Sequence, residues 1–542
     1  MQGSGDKFKL YRRLGVFVES SEGGRWKYVF RTYEPSADRV ELSGDFNLWG
    51  RLQMRRLDGG VFEQMVESDI MLDGTCYKYR VYENGKRRDR IDRFARCVRS
   101  MTANEGIVFT GDDYRWRDGE WMADREARYS SRQSANLPLN IYEVHLGSWK
   151  KRCMGISTQC CFNYRDIAPI LAEYVSDMGY THIWIMKTVS ELSEGERTIF
   201  SYFAPDSKYG SPEDFKYLVN ILHKNNVGVI IELELDEDTG GFSYADFYGS
   251  CLDFWITQCH IDGIALKNCR QEEIVDINSY LAKTFPSVLK IVRDPSRKFR
   301  FTKSGNRINL GFDFVLGSEF FADGTVSENL NNCTTWYEMQ KIKRSLVRVG
   351  DERYIASASR WTSPYRSCAL AKMDGEYEEK FLRLKLFLIY TMMLPCKKLT
   401  FMGNEIGELN EWEEDGQIEW FLTDYPMHRD LQCFCRALNR LYLENTALWE
   451  KDHDPDGIEW YGSGEENVIC FARQSGDDKI VGVFNFSRER EAKINPPEYL
   501  KGRWEDLLSV NFPVHTSPVE LCDEPLLLPP TSALMLKFCP DR

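Results

Sequence analysis

Gly228-Val-Ile-Ile-Glu-Leu233 and Asp262-Gly-Ile-Ala-Leu266 are short apolar runs of the kind that a strand buried on both faces requires. The same rhythm extends in both directions. Upstream lie Ile141-Tyr-Glu-Val-His-Leu146 and Thr181-His-Ile-Trp-Ile-Met186. Downstream come Val288-Leu-Lys-Ile-Val292, Gly311-Phe-Asp-Phe-Val315, Tyr354-Ile-Ala-Ser-Ala358 and Lys398-Leu-Thr-Phe-Met402. Helical stretches separate most of these runs, Ser211 to Lys224 and Glu376 to Met393 among them. Short strands that alternate with helices predict βαβ units, and eight of them predict a closed (β/α)8 barrel of the α/β class.

Both flanks read differently. From about residue 25 to 112, Tyr28-Val-Phe-Arg-Thr-Tyr33, Arg39-Val-Glu-Leu-Ser43 and Tyr77-Lys-Tyr-Arg-Val-Tyr82 alternate and are separated by Gly and Asp turns, which predicts a small β-sandwich. After the barrel, Ile458-Glu-Trp-Tyr461, Val468-Ile-Cys-Phe471 and Ile480-Val-Gly-Val-Phe-Asn-Phe486 return to strands. The division expected is an N-terminal sandwich over 1–122, a polar linker over 123–139, the barrel over 140–454 and a C-terminal sandwich over 455–542.

Composition excludes several classes. With 42% hydrophobic and 28% charged residues, the chain is neither disordered nor fibrous. A net charge of −13 has the wrong sign for a phosphate-backbone or anionic-membrane binder, so neither nucleic acid nor membrane is an expected partner. The longest apolar segment, Leu386 to Pro395, is too short to span a bilayer. The opening MQGSGDKFKLYRR has no apolar core, so no secretory signal is expected. The 16 Cys are scattered with no CxxC, which predicts free buried thiols, a cytoplasmic location and no zinc site. With no glycine-rich phosphate loop either, no cofactor and no metal are expected.

Several long motifs carry a resemblance. Tyr142-Glu-Val-His-Leu-Gly-Ser-Trp149, Tyr202-Phe-Ala-Pro-Asp-Ser-Lys-Tyr-Gly-Ser-Pro-Glu-Asp-Phe-Lys-Tyr217, Lys398-Leu-Thr-Phe-Met-Gly-Asn-Glu-Ile-Gly407, Glu419-Trp-Phe-Leu422 and Ala447-Leu-Trp-Glu-Lys-Asp-His-Asp-Pro-Asp-Gly457 fall in one order. That order resembles the 1,4-α-glucan branching enzymes of glycoside hydrolase family 13. Ser43-Gly-Asp-Phe-Asn-Leu-Trp49 is similar to the family 48 carbohydrate-binding module that precedes their barrel. The resemblance implies an α-1,4-glucan or glycogen partner, with other enzymes of glycogen metabolism as a second class of partner.

The resemblance also implies three carboxylates at barrel strand ends: an Asp nucleophile, a Glu acid/base and an Asp that stabilises the oxocarbenium-like transition state. Here the pattern departs. The fourth strand, His260-Ile-Asp-Gly-Ile-Ala-Leu-Lys-Asn268, puts Lys267 at the nucleophile and Ala265 where an Arg orients it. The fifth, ending Lys290-Ile-Val-Arg-Asp294, puts Arg293 at the acid/base, with Asp294 one residue away and so on the opposite face. Counting back from Lys372-Met-Asp-Gly-Glu-Tyr377 places Arg360 at the stabiliser. Arg197 takes the place of the Tyr that stacks under the reacting sugar. Cations repel the positive charge that develops at the anomeric carbon, and Arg is no acid at neutral pH. The loops after the third and fourth strands are also short.

The resulting expectation is a branching-enzyme-like protein that is not an active enzyme and that binds glucan or acts as a scaffold. Two alternatives stay open: a branching transglycosylase using other carboxylates such as Glu232 or Asp294, and an anion or phosphosugar binder at the cationic mouth. Trp49, Tyr77 and Tyr79 are the glucan-binding candidates, although such rings are equally at home in a sandwich core. His145 and His260 travel with packing motifs and are expected to be structural. Glu232, Asp236, Glu237 and Glu405 are expected to line the barrel mouth, and at least one should meet Lys267, Arg293 or Arg360 in an ion pair.

Overall fold

In a computed structural model, residues 6–539 are described apart from 23, 100–104, 112–113, 130–133, 153–159, 195–196, 294–308, 317–351, 358–368, 464, 466, 496–500, 513–518 and 522–523. The chain divides into two units, Met1–Ala127 with Arg152–Ala172 and Ile185–Lys290, and Arg128–Lys151 with Glu173–Trp184 and Ile291–Arg542.

The first unit opens with a β-sandwich. One sheet has the order β1-β2-β6-β5, from β1 (Gly15–Glu22), β2 (Arg25–Tyr33), β5 (Arg55–Arg56) and β6 (Val61–Ser68). The other has the order β4-β3-β7-β10-β9, from β3 (Arg39–Gly44), β4 (Leu52–Gln53), β7 (Cys76–Glu83), β9 (Val98–Arg99) and β10 (Glu105–Ile107), with β8 (Lys86–Arg90) paired to β7. Period-two alternation builds the core between them: Tyr28, Phe30, Val40, Leu42, Tyr77, Tyr79 and Val81 all turn inward.

A helix, α1 (Gly119–Tyr129), follows. It occupies the first half of the stretch expected to be a linker. Arg125 is buried there and donates to Asp262 at 3.0 Å and to the Ile261 carbonyl at 3.0 Å. A paired arginine can face inward, so polar composition alone misread this segment.

Eight parallel strands close into a barrel in the order β11 (Asn140–Val144), β12 (His182–Ile185), β15 (Gly228–Glu234), β16 (Gly263–Lys267), β17 (Leu289–Val292), β18 (Phe314–Leu316), β19 (Tyr354–Ser357) and β20 (Lys397–Phe401). A hairpin, β13 (Val189–Glu194) with β14 (Arg197–Pro205), follows the second barrel strand. All eight expected strands are present, and the sixth is shifted a few residues towards its C-terminal end. The intervening helices are α2 (Leu146–Trp149), α3 (Tyr164–Asp177), α4 (Pro212–Lys224), α5 (Tyr244–Cys259), α6 (Gln271–Thr284), α7 (Tyr377–Met393) and α8 (Pro426–Glu444). The start of α4 is set locally: Pro212 pre-forms the first turn, and Ser211 and Asp214 cap each other's backbone N–H.

The C-terminal strands β21 (Ile458–Tyr461), β22 (Val468–Ser475), β23 (Asp478–Asn485), β24 (Ala492–Ile494), β25 (Gly502–Val510), β26 (Val519–Leu521), β27 (Leu526–Leu528) and β28 (Ser532–Phe538) form a six-stranded and a two-stranded sheet around Trp504.

The expected free thiols are found at Cys76, Cys251, Cys259, Cys396, Cys435 and Cys470, all buried. Cys160 corrects the expectation. It is disulfide-bonded. Among the described residues no helix is long and apolar enough to cross a membrane.

Candidate functional site

Lys267 is the last residue of β16, the fourth barrel strand. In the parallel ladder Ala265 lies opposite Glu232 of β15, and Lys267 opposite Glu234. Alternate residues share a face, so Lys267 can reach back past the small Ala265 towards Glu232. It does so: Nζ donates to Glu232 Oε1 at 2.5 Å. The Glu232 side chain is 5% exposed and that of Lys267 25%. The expected ion pair therefore forms at this cation, and it fills the strand end with a neutralised charge.

The chain beyond β15 is fixed by hydroxyls. Tyr202 donates to the Glu234 carbonyl at 2.8 Å, and Tyr248 donates to the Asp236 carbonyl at 2.8 Å while accepting from the Asp236 N–H at 2.7 Å. Asp236 turns its own carboxylate onto the backbone N–H groups of Glu237 and Asp238, at 2.5 and 3.3 Å. Arg93 of the sandwich segment grips Asp238 at 3.2 Å. Glu237 points outward with its side chain 88% exposed, 3.9 Å from Arg270. Of the acids expected at the mouth, Asp236 thus shapes a turn and Glu237 is a solvated surface charge.

Glu405 corrects a further expectation. It is 1% exposed, and Tyr142 and Tyr174 each donate to its Oε1 at 2.7 Å. Burial pushes its carboxyl pKa up. An acid enclosed by tyrosines braces packing, here beside a small cavity of about 40 Å³. Arg293 directly follows β17 and is half-buried, whereas Arg360 and Asp294 lie outside the described residues.

The glucan-binding candidates separate by strand parity. Tyr77 and Tyr79 are 0% exposed, and both hydroxyls donate to buried Asp92, at 2.7 and 3.5 Å. They are core, because period two sends one whole set of β7 inward; they cannot stack on a sugar. Trp49 is half-buried on a loop that exposes Leu48, with its indole N–H on Asp45 at 3.0 Å. Lys78 Nζ lies 5.4 Å from the centre of its ring, and Arg80 donates to its carbonyl at 3.1 Å. Sequence reasoning picked the inward pair of β7 and missed the outward one.

His145 is buried with Nδ1 2.8 Å from the Ser148 hydroxyl, a packing role. His260 caps the C-terminal end of α5 in the left-handed conformation. It stacks on Trp116 and reaches Asp118 at 2.9 Å. Asp118 also takes His223, whose other nitrogen meets Asp262 at 2.9 Å. Beyond β20, a concave pocket of about 330 Å³ is lined by Phe401, Glu408, Trp412, Gln417 and Glu419 among others. An indole with carboxylates and an amide is a surface that can take sugar hydroxyls.

Comparison with known proteins follows the same division. Residues 13–95 match carbohydrate-binding module 48 (isoamylase N-terminal domain). The 1,4-alpha-glucan branching enzyme GlgB of Fusobacterium nucleatum is 32% identical, over 90% of this chain and 88% of its own. That of Cutibacterium acnes is 29% identical, over 94% of this chain and 88% of its own. Among solved structures, the pullulanase from Bacillus acidopullulyticus is similar with a TM-score of 0.71 at 14% identity, covering 97% of this chain and 75% of that one. The catalytic module of the glycogen-degrading pneumococcal virulence factor SpuA is similar with a TM-score of 0.69 at 14% identity, covering 97% of each. At such identities the likeness speaks of fold alone.

Proposed function

Given that the chain belongs to the family of 1,4-alpha-glucan branching enzymes, we propose that it binds α-1,4-glucan in glycogen metabolism without branching it. The observation that carries this reading is the Lys267–Glu232 pair at the end of the fourth barrel strand. Family chemistry requires an anionic nucleophile there, to attack a sugar carbon that becomes positive. An ammonium held on a carboxylate offers neither lone pair nor negative charge. Arg293 and Arg360 at the acid/base and stabiliser positions push in the same direction, since neither donates a proton near neutral pH. We place the glucan on the N-terminal sandwich at Trp49, where an aromatic ring is accessible beside hydrogen-bonding cations. The working division into sandwich, barrel and second sandwich, the cytoplasmic location and an association with other enzymes of glycogen metabolism belong to the same proposal.

The two alternatives are weaker. A transglycosylase using Glu232 would need that carboxylate free, and it is held by Lys267. An anion binder at the mouth would need Lys267 uncompensated, and it is not. Incubation of the pure protein with amylose, followed by iodine staining beside an active branching enzyme, tests the proposal. No loss of iodine absorbance is expected; a loss at a rate comparable with the active enzyme would overturn it.

A further inference from the structure

We propose that the outward face of the N-terminal sandwich selects glucan chains that carry a phosphate monoester. This deepens the reading of Trp49 as a glucan platform and rests on it. Register places Arg39, Glu41 and Ser43 of β3 opposite Tyr82, Arg80 and Lys78 of β7, and Asp89 and Arg87 of β8 opposite Arg80 and Tyr82. Directly opposed residues share a face, so four cations and two carboxylates of these strands lie together on the face away from the core.

The charges do not cancel evenly. Glu41 is engaged by Arg39 at 3.5 Å and by the Tyr82 hydroxyl at 3.0 Å. Asp89 is shared between Lys78 at 3.1 Å and Arg87 at 2.9 Å. On the other side of the platform, Asp45 accepts from the Trp49 indole at 3.0 Å and from the Cys76 N–H at 2.7 Å. Among the described residues Arg80 makes no carboxylate contact. Its Nη2 donates to the Trp49 carbonyl at 3.1 Å, and its Nε is buried without an acceptor. A guanidinium that makes no ion pair of its own among the described residues is thus bonded to the backbone of the platform residue, with Lys78 over the ring.

A neutral glucan asks for a flat ring and hydroxyl partners; it does not ask for surplus positive charge in a chain of net charge −13. A phosphate monoester does. It carries about −1.5 to −2 charges and three strong acceptor oxygens, and the guanidinium fork matches that geometry. Its sugar would stack on Trp49 while the phosphate meets Arg80 and Lys78. Inorganic phosphate shares the anion chemistry but brings no ring for Trp49.

The test is titration of the full-length protein with a linear malto-oligosaccharide, with the same oligosaccharide bearing one phosphate monoester, and with inorganic phosphate. The phosphorylated chain is expected to bind about tenfold more tightly at low salt, the equivalent of one charge-assisted contact. That advantage should shrink at high salt as the charges are screened. Arg80→Gln should bring the ratio of the two affinities towards one, and Trp49→Ala should weaken both. Equal binding of the two sugars by the wild type would overturn the selectivity and leave the glucan platform standing. Inorganic phosphate binding as tightly as the phosphorylated sugar would overturn it too, by showing a plain anion site. No binding of either sugar would overturn both readings. The wild-type ratio and its salt dependence decide the matter even if Arg80→Gln fails to fold.

Discussion

Lys267→Met should leave Glu232, whose side chain is 5% exposed, without its cation. Breaking a fully buried pair costs about 3–5 kcal/mol; with Lys267 partly in water, about 1–3 kcal/mol is expected here, read from the urea midpoint. Lys267→Met with Glu232→Leu should recover most of it, since removing both partners leaves no orphaned charge, and an unshifted single mutant would show that the pair is idle. His223 gives a pH signature. Burial opposes its charge, but Asp262 and Asp118 outweigh burial and raise its pKa. A raised histidine pKa stabilises the fold fully below the unfolded value of about 6.5, and that stability is lost as pH rises through the folded value. Asp118 is also opposed by burial, yet its bonds to His223 and His260 lower its pKa, so its contribution is lost only in strong acid. Stability should therefore fall as pH rises above about 6.5, and His223→Gln should flatten that fall; an unchanged slope in thermal melts would contradict the assignment. The Lys267 contact was legible in the sequence because the fourth strand aligns without a gap and its acids are near neighbours. The Trp49 face was only half legible. Period two says that Tyr77 and Tyr79 share a side, but not which side is core, and the burial of both could only come from the second sheet packing on them.

At the level of elements, the sequence read well wherever a run was apolar and short, and poorly where polar residues are buried in pairs. The eight barrel strands were legible because strands covered on both faces leave continuous apolar runs. The helix α1 was not, since Arg125 turns inward only because Asp262 waits for it. The same holds for the join between the barrel and the last strands. Lys397 at the start of β20 and Arg473 of β22 both meet Asp452, at 2.9 and 2.8 Å, and all three side chains are 0% exposed. Lys397 also donates to the Trp449 carbonyl at 2.9 Å, and Arg473 to those of Gly457 and Met393 at 3.0 and 3.1 Å. No periodicity marks such a cluster, because each member sits where an apolar residue is expected. Asp452→Asn should strand two buried cations and cost about 3–5 kcal/mol. A near-neutral change in the thermal unfolding midpoint would mean that the cluster relaxes to water.

For the whole molecule, the question is whether the absence of branching that we propose would reside in three side chains or in the frame around them. Lys267→Asp, Arg293→Glu and Arg360→Asp together restore the family's acidic set on paper. In the folded chain, Lys267→Asp would remove the cation that now neutralises Glu232 and leave two carboxylates where one ion pair stood. Like charges at such close range raise a carboxyl pKa, so a proton would be shared where the mechanism needs an anion. Ala265 offers no guanidinium to orient the new carboxylate. The backbone beyond β15 is already tied to Tyr202 and Tyr248, so it is held in place beside any new carboxylate. Positioning of reactants alone accounts for about 7–11 kcal/mol of a barrier, which three carboxylates without orienting partners do not supply. The triple variant is therefore expected to stay silent in the amylose–iodine assay while folding normally by circular dichroism. Branching by that variant at a rate comparable with an active relative would place the whole loss in the three side chains and leave the frame without a role.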